Sequence, residues 1–160
     1  MANRILISVQ EEIQAPEWFD EAKIENYVQA VLEKLGYDDE EISILFCNDE
    51  EIQMLNKTYR DIDSATDILS FENGTEYEDE EGKWYEAGDI AISFDTLPKN
   101  ADYFKVSQNE ELKRLLIHGC LHLNGYDHGE EHIETGVEPT DEMLKLQEQV
   151  LKEFGDVNLI

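Results

Sequence analysis

Three of the four histidines of this chain fall in one stretch, HGCLHLNGYDH, residues 118 to 128. Imidazole is the commonest metal-binding side chain and titrates near neutral pH, so such clustering points first to metal chemistry. His118 and His122 are four residues apart. On a helix that spacing puts both rings on one face, about one turn apart, and lets both reach a single ion. Gly125 is suited to end such a helix in a left-handed turn, so that the chain doubles back and His128 completes three nitrogen ligands. Three neutral imidazoles with an open fourth position make a catalytic rather than a structural zinc site, and borderline nitrogen ligands favour zinc among the common metals. The competing reading makes His118 and His122 hydrogen-bonded core residues and His128 a loop residue. It leaves both the joint spacing and the turn glycine unexplained.

The order His, His at +4, Gly at +7 and His at +10 has the spacing of the metzincin zinc site. In those proteases the residue after the first histidine is a glutamate that serves as general base; here it is Gly119, so peptide hydrolysis loses its proton acceptor. Cys120 lies about 200° around the helix from His118 and faces away. His132 reads as a surface histidine. Asp127 reads either as a base or partner of a ligand, or as a solvated acidic turn residue.

These side chains need a helix, and the helix needs a surface to lie on. Residues 107–125, SQNEELKRLLIHGCLHLNG, supply it, with Ser107 and Glu110 at capping-box spacing. Leu112, Leu115, Leu116, Cys120 and Leu123 form one apolar stripe and Ile117 and Leu121 another, so this helix is central and mostly buried. Strands are expected at RILISV (4–9), EISILFCN (41–48), TDILSFE (66–72) and GDIAISFD (88–95). Helices are expected at 16–36, with Trp18, Ile24, Tyr27, Val28, Val31, Leu32 and Leu35 at helical spacing, and at 49–60 after an Asn48 cap. A final helix runs from about Asp141 to Phe154. The acidic run ENGTEYEDEEGKWYE (72–86) reads as a solvated loop or hairpin tip, and the stretch before Ser107 as apolar and turn-rich. The order is that of a single α+β domain over 1–160: a small mixed four-stranded sheet packed with helices around a central metal-binding helix.

A chain of 160 residues, 41% hydrophobic and with three prolines and nine glycines, buries a core without disulfides or a structural metal. It shows no internal repeat, no secretory leader, and no apolar run near the roughly 18 residues of a membrane span. Cys47 and Cys120 lack the spacing of a disulfide framework or CxxC motif and read as buried thiols in a reducing cytoplasm. The formal charge of −27 comes from 39 acidic residues against 12 basic ones. It argues against unaided, non-specific nucleic-acid binding, which rests on basic groups displacing counterions from phosphates. A halophilic source or docking to a basic partner would each account for it.

HGCLHLNGYDH resembles the signature of the YbeY family of bacterial zinc-dependent endoribonucleases. LNKTYRDIDSATDILSF (55–71) is similar to the family's second motif, an arginine followed by a Thr-Asp/Asn-hydrophobic-Leu-Ser-Phe strand, and GDIAIS (88–93) to its third. Asn124 stands where leucine is common, and Glu72 follows Phe71 where proline is frequent. The resemblance implies one zinc ion per chain on His118, His122 and His128, with a zinc-bound water at those three residues in the catalytic group, and Arg60 lining the cleft. By itself Arg60 reads as an exposed arginine pairing with Asp61 or Asp63. The implied activity is that of a single-strand-specific endoribonuclease in 3′-end maturation of small-subunit (16S) ribosomal RNA and in ribosome quality control. Its setting would be the cytoplasm and the small ribosomal subunit, with ribosomal proteins or assembly factors as partners, and with no membrane and no DNA. Zinc would act as a Lewis acid on a phosphate oxygen; whether its hydroxide or the RNA 2′-OH attacks phosphorus stays open. Two rivals remain: a ribosome-assembly binding factor with a structural zinc site, and a zinc hydrolase of another substrate.

Overall fold

The computed structural model describes residues 3–127 and 138–160. The expected third ligand, His128, and the expected surface residue His132 lie outside the described residues.

Strand β1 (Arg4–Val9) pairs in parallel with β2 (Glu40–Cys47), Ile5 against Ile42 and Ile7 against Ile44. The crossover this requires is helix α1 (Glu21–Leu35). Helix α2 (Asp49–Arg60) starts at Asn48, whose side chain accepts the Glu51 N–H, as the cap expectation has it. It leads to the hairpin of β3 (Ile68–Asp79) and β4 (Gly82–Ser93). β4 lies parallel to β2 and antiparallel to β3, giving the mixed sheet β1-β2-β4-β3. Helices α3 (Thr96–Phe104), α4 (Gln108–Leu123) and α5 (Glu142–Glu153) follow. Among the described residues this is the expected α+β architecture, a four-stranded mixed sheet with five helices.

Three boundaries differ from the expectation, each for a physical reason. α1 begins at Glu21 rather than after Pro16, because Asp20 takes the N-cap position and accepts the Lys23 N–H. The residues before it turn Trp18 and Phe19 into an aromatic cluster with Phe46 and Phe94. Residues 96–104 form α3, burying Leu97 and Ala101; Pro98 sits in its first turn, where no intrahelical N–H is missed. The acidic run is strand except for its two-residue tip, Glu80 and Glu81, and it is paired across the hairpin apart from a bulge at Asn73 and Gly74. Tyr77 stands opposite Trp84 across the ladder, and Arg4 reaches over from β1 to donate to Tyr77 and Asp79 while its guanidinium lies 4.0 Å over the Trp84 ring.

α4 is the centre of the core. Leu112, Leu116, Ile117, Cys120 and Leu121 are all buried, and each aliphatic side chain so placed contributes about 1.5–3 kcal/mol. The helix lies low on the sheet at Gly119, where a Cβ would stand 2.7 Å from Ile90 Cδ1 and 3.2 Å from Ile68 Cδ1. At Gly88, with φ +147°, a Cβ would meet the Phe71 carbonyl oxygen at 2.1 Å and Leu123 Cδ2 at 2.9 Å, so only glycine permits this approach of the bulged β4. Burial pushes the Cys47 and Cys120 thiols up to about 12, which makes both unreactive. No helix among the described residues is long and apolar enough to cross a membrane.

Candidate metal centre and active cleft

α4 ends as its sequence requires. Gly125 takes φ +90°, its N–H donates to the His122 carbonyl, and the Tyr126 N–H donates to the Leu121 carbonyl. This pair of bonds is the Schellman motif. Asn124, one of the two departures from the family pattern, reinforces the end by donating to the Cys120 carbonyl and to buried Glu40, whose carboxyl is raised by burial.

The turn brings the Tyr126 carbonyl to 3.0 Å from His122 Nδ1, while Gln147 Oε1 lies 2.7 Å from His118 Nδ1. A backbone carbonyl only accepts, so His122 carries its proton on Nδ1. The Gln147 amide is oriented by its own Nε2, which donates to Glu148 Oε2 at 3.0 Å, so its oxygen faces His118 and that ring too is protonated on Nδ1. Both lone pairs therefore sit on Nε2, and the two Nε2 atoms stand 3.0 Å apart with their rings at 78°. Two converging imidazole lone pairs repel unless a cation lies between them, so this donor set fits a divalent ion. Among the described residues no group of three His, Cys, Asp or Glu side chains gathers at a metal site.

The pair opens into a cleft of about 600 Å³, whose lining includes Arg60, Ser70, Glu72, His118, His122 and Asp127. Arg60 stands in the last turn of α2, just before Asp61 turns left-handed at φ 60°. Its guanidinium donates to the Ser70 carbonyl and lies 5.2 Å over the Phe71 ring. Among the described residues it makes no ion pair with Asp61 or Asp63; Asp63 is taken by Lys57 at 3.8 Å and by Gln53 at 3.1 Å. Buried Asn56 donates to the Ser64 carbonyl and so holds the loop that follows Arg60. Further along, Asp67 accepts from the Ile68 N–H and from Asn100 of α3, and burial raises its carboxyl. Ser70 Oγ is buried in the cleft wall without a hydrogen-bond partner among the described residues.

Gly119 faces the sheet, not the cleft. The missing protease glutamate is thus a consequence of how closely α4 lies on Ile90 and Ile68. Cys120 is fully buried and turned away from the histidines, as its helical angle requires. The residues that sequence reasoning passed over are Gln147, Glu148 and Arg114. One signal was available: Gln147 is the polar residue in the stripe Met143, Leu144, Gln147, Val150, Leu151 that α5 buries.

A mixed sheet crossed by a buried helix, with a histidine pair and an arginine facing one cleft, defines a class of small α+β protein built around a single polar cleft. The model of the family described as "Endoribonuclease YbeY" matches residues 7–155. A protein named Endoribonuclease YbeY from Treponema denticola is 48% identical over 160 residues, covering 99% of this chain and 98% of its own. One of the same name from Aquifex aeolicus is 40% identical over 133 residues, covering 83% of each. The solution structure of TM1509 from Thermotoga maritima superposes with a TM-score of 0.59 at 26% identity, over 95% of this chain and 90% of that one. The chain belongs to the YbeY endoribonuclease family. That membership favours the nuclease over both rival readings.

Proposed function

We infer that this protein is a metal-dependent endoribonuclease that hydrolyses phosphodiester bonds of single-stranded RNA, acting in 3′-end maturation of 16S ribosomal RNA and in ribosome quality control. The observation that carries the reading is the convergence of His118 Nε2 and His122 Nε2 in a cleft shared with Arg60. His118, His122 and His128 hold one zinc ion per chain, and residues 1–160 form one such hydrolase domain. The ion, when bound, supplies Lewis acidity toward a phosphate oxygen.

The rest falls to the chain's own groups. Arg60, with one nitrogen committed to the Ser70 carbonyl, has further N–H donors for a non-bridging phosphate oxygen and offsets the charge that builds there. Gln147 and the Tyr126 carbonyl hold the two imidazoles in the tautomer a metal needs. A net charge of −27 gives the protein little hold on RNA phosphates at large. The RNA is therefore met in the small ribosomal subunit, in the cytoplasm, where basic ribosomal proteins or assembly factors dock the acidic surface.

The test is metal analysis and RNA cleavage with protein purified without chelator. One zinc per chain and cutting of single-stranded over duplex RNA are expected, and His122→Ala should lose both metal and cleavage while staying folded. Parental cleavage by His122→Ala would sink the reading.

A further inference from the structure

α5 presents a single polar side chain to the back of His118. Gln147 is 1% exposed, set in the apolar stripe that packs against α4. A buried amide costs free energy unless both of its ends are satisfied. Here both are, and in a defined sense: Oε1 meets His118 Nδ1 at 2.7 Å and Nε2 meets Glu148 Oε2 at 3.0 Å. An amide has two orientations of nearly equal shape, and the acceptor-only carboxylate of Glu148 selects one of them. Glu148 is itself held by the fork of Arg114, with Nε 3.0 Å from Oε2 and Nη2 3.0 Å from Oε1. Arg114 in turn is braced by Glu111 at 3.3 Å on its own helix. Donor and acceptor roles thus run without ambiguity from a guanidinium, which cannot lose its proton, to the imidazole of His118.

His122 is held differently. Its Nδ1 faces a backbone carbonyl, which no substitution can remove. His118 depends on a side chain, so the state of the pair is set at α5.

We propose that Gln147, oriented by Glu148 and Arg114, is a positioning residue that fixes the tautomer and ring rotation of His118 and thereby sets the affinity of the His118–His122 pair for a divalent ion. The proposal rests on the reading of these two histidines as metal ligands.

The experiment has two readouts: the tautomer of His118 by ¹⁵N NMR in chelator-treated protein, and Zn²⁺ affinity by competition with a chromophoric chelator. Gln147→Met, close in volume but without an acceptor for Nδ1–H, should show mixed tautomers and bind Zn²⁺ roughly 10–100-fold more weakly. The double variant Gln147→Glu with Glu148→Gln keeps an acceptor on Nδ1 and a donor–acceptor pair between positions 147 and 148, and should hold the Nδ1–H tautomer with affinity no weaker than the parent. A parental tautomer and parental affinity in Gln147→Met overturn the proposal. Should Gln147→Met fail to fold, weakened binding or mixed tautomers in the double variant overturn it instead. His118→Ala separates the two levels: if it binds Zn²⁺ like the parent, the metal-centre reading fails and the affinity claim with it. If His118→Ala loses the ion while Gln147→Met does not, only the positioning role fails.

Discussion

The polar face of α4 and the tip of the β3–β4 hairpin both carry rows of charged residues, and the molecule treats them in opposite ways. Along α4, Glu111, Arg114, His118 and His122 stand with Gln147 and Glu148 in a network where burial is high and partners are directional. Glu111 is 1% exposed, and its carboxyl is pushed up to about 7 by burial against the pull of Arg114. Lys113, two residues further on, sends Nζ to the carbonyls of Phe154, Gly155 and Val157 and so ties α4 to the end of α5. At the hairpin, Glu76, Glu78, Asp79, Glu80 and Glu81 stand in water with Arg4 as their main cation. A charge that keeps its hydration needs no fixed partner, whereas one that loses it must be met by a group at a defined distance. Position is therefore determined where burial is costly, and that is where the candidate site was built.

The sharpest break in the comparison should come from the cleft. Arg60→Ala is expected to lower RNA cleavage by roughly 10²-fold or more, the scale of losing one electrostatic stabiliser, with zinc content and melting temperature near the parent. Arg60→Lys should rescue only in part, because a point charge cannot replace a planar fork. Parental cleavage by Arg60→Ala would return Arg60 to the surface.

Next in size is Gly119→Glu, which drives a carboxylate toward Ile90 and Ile68. It should destabilise the fold by several kcal/mol and create no protease, as thermal melts and a casein assay would show. Gly119→Ala should stay within about 1 kcal/mol of the parent, since the helix gain of alanine offsets a shift of the Ile90 Cδ1 tip.

Glu111 offers a pH test of the buried network. Its carboxyl moves from an ordinary 4.5 to about 7 on folding, so between those values the native state binds more protons than the unfolded chain. The Glu111 contribution to stability is thus complete below pH 4.5 and falls as pH rises through 7. Denaturant titrations of Glu111→Gln should show a flatter decline across that window than the parent; equal slopes would remove Glu111 as the cause.

The hairpin should give the smallest response. Arg4→Ala is expected to cost a slight drop in melting temperature that shrinks with added salt, and to leave zinc affinity unchanged. A loss of zinc with Arg4→Ala would show that the two regions are coupled after all.

Much of this molecule was legible in its residues. Periodicity located the four strands, the central helix and both of its caps. The joint spacing of His118, His122 and Gly125 announced the paired imidazoles and the turn beyond them, because helical angle and the αL preference of glycine are local properties. The strand character of 72–86 was hidden under its charge: what decides it is the pairing of Tyr77 with Trp84 and the reach of Arg4 from another strand. The direction of Gly119 was equally hidden, since a helix position has no cleft side until the helix lies on Ile90 and Ile68. Arg60 could be read as a surface ion pair or a cleft residue until β3 set the Ser70 carbonyl and the Phe71 ring beside it. Gln147 lies 29 residues from His118 in sequence, and nothing in either segment names the other. By itself the sequence determined which groups lie one helical turn apart and where the helix that carries them stops. Which of those groups lose water, and what meets them when they do, was decided only when α4 was closed between the sheet and α5, because desolvation and directional partnering depend on segments distant in the chain.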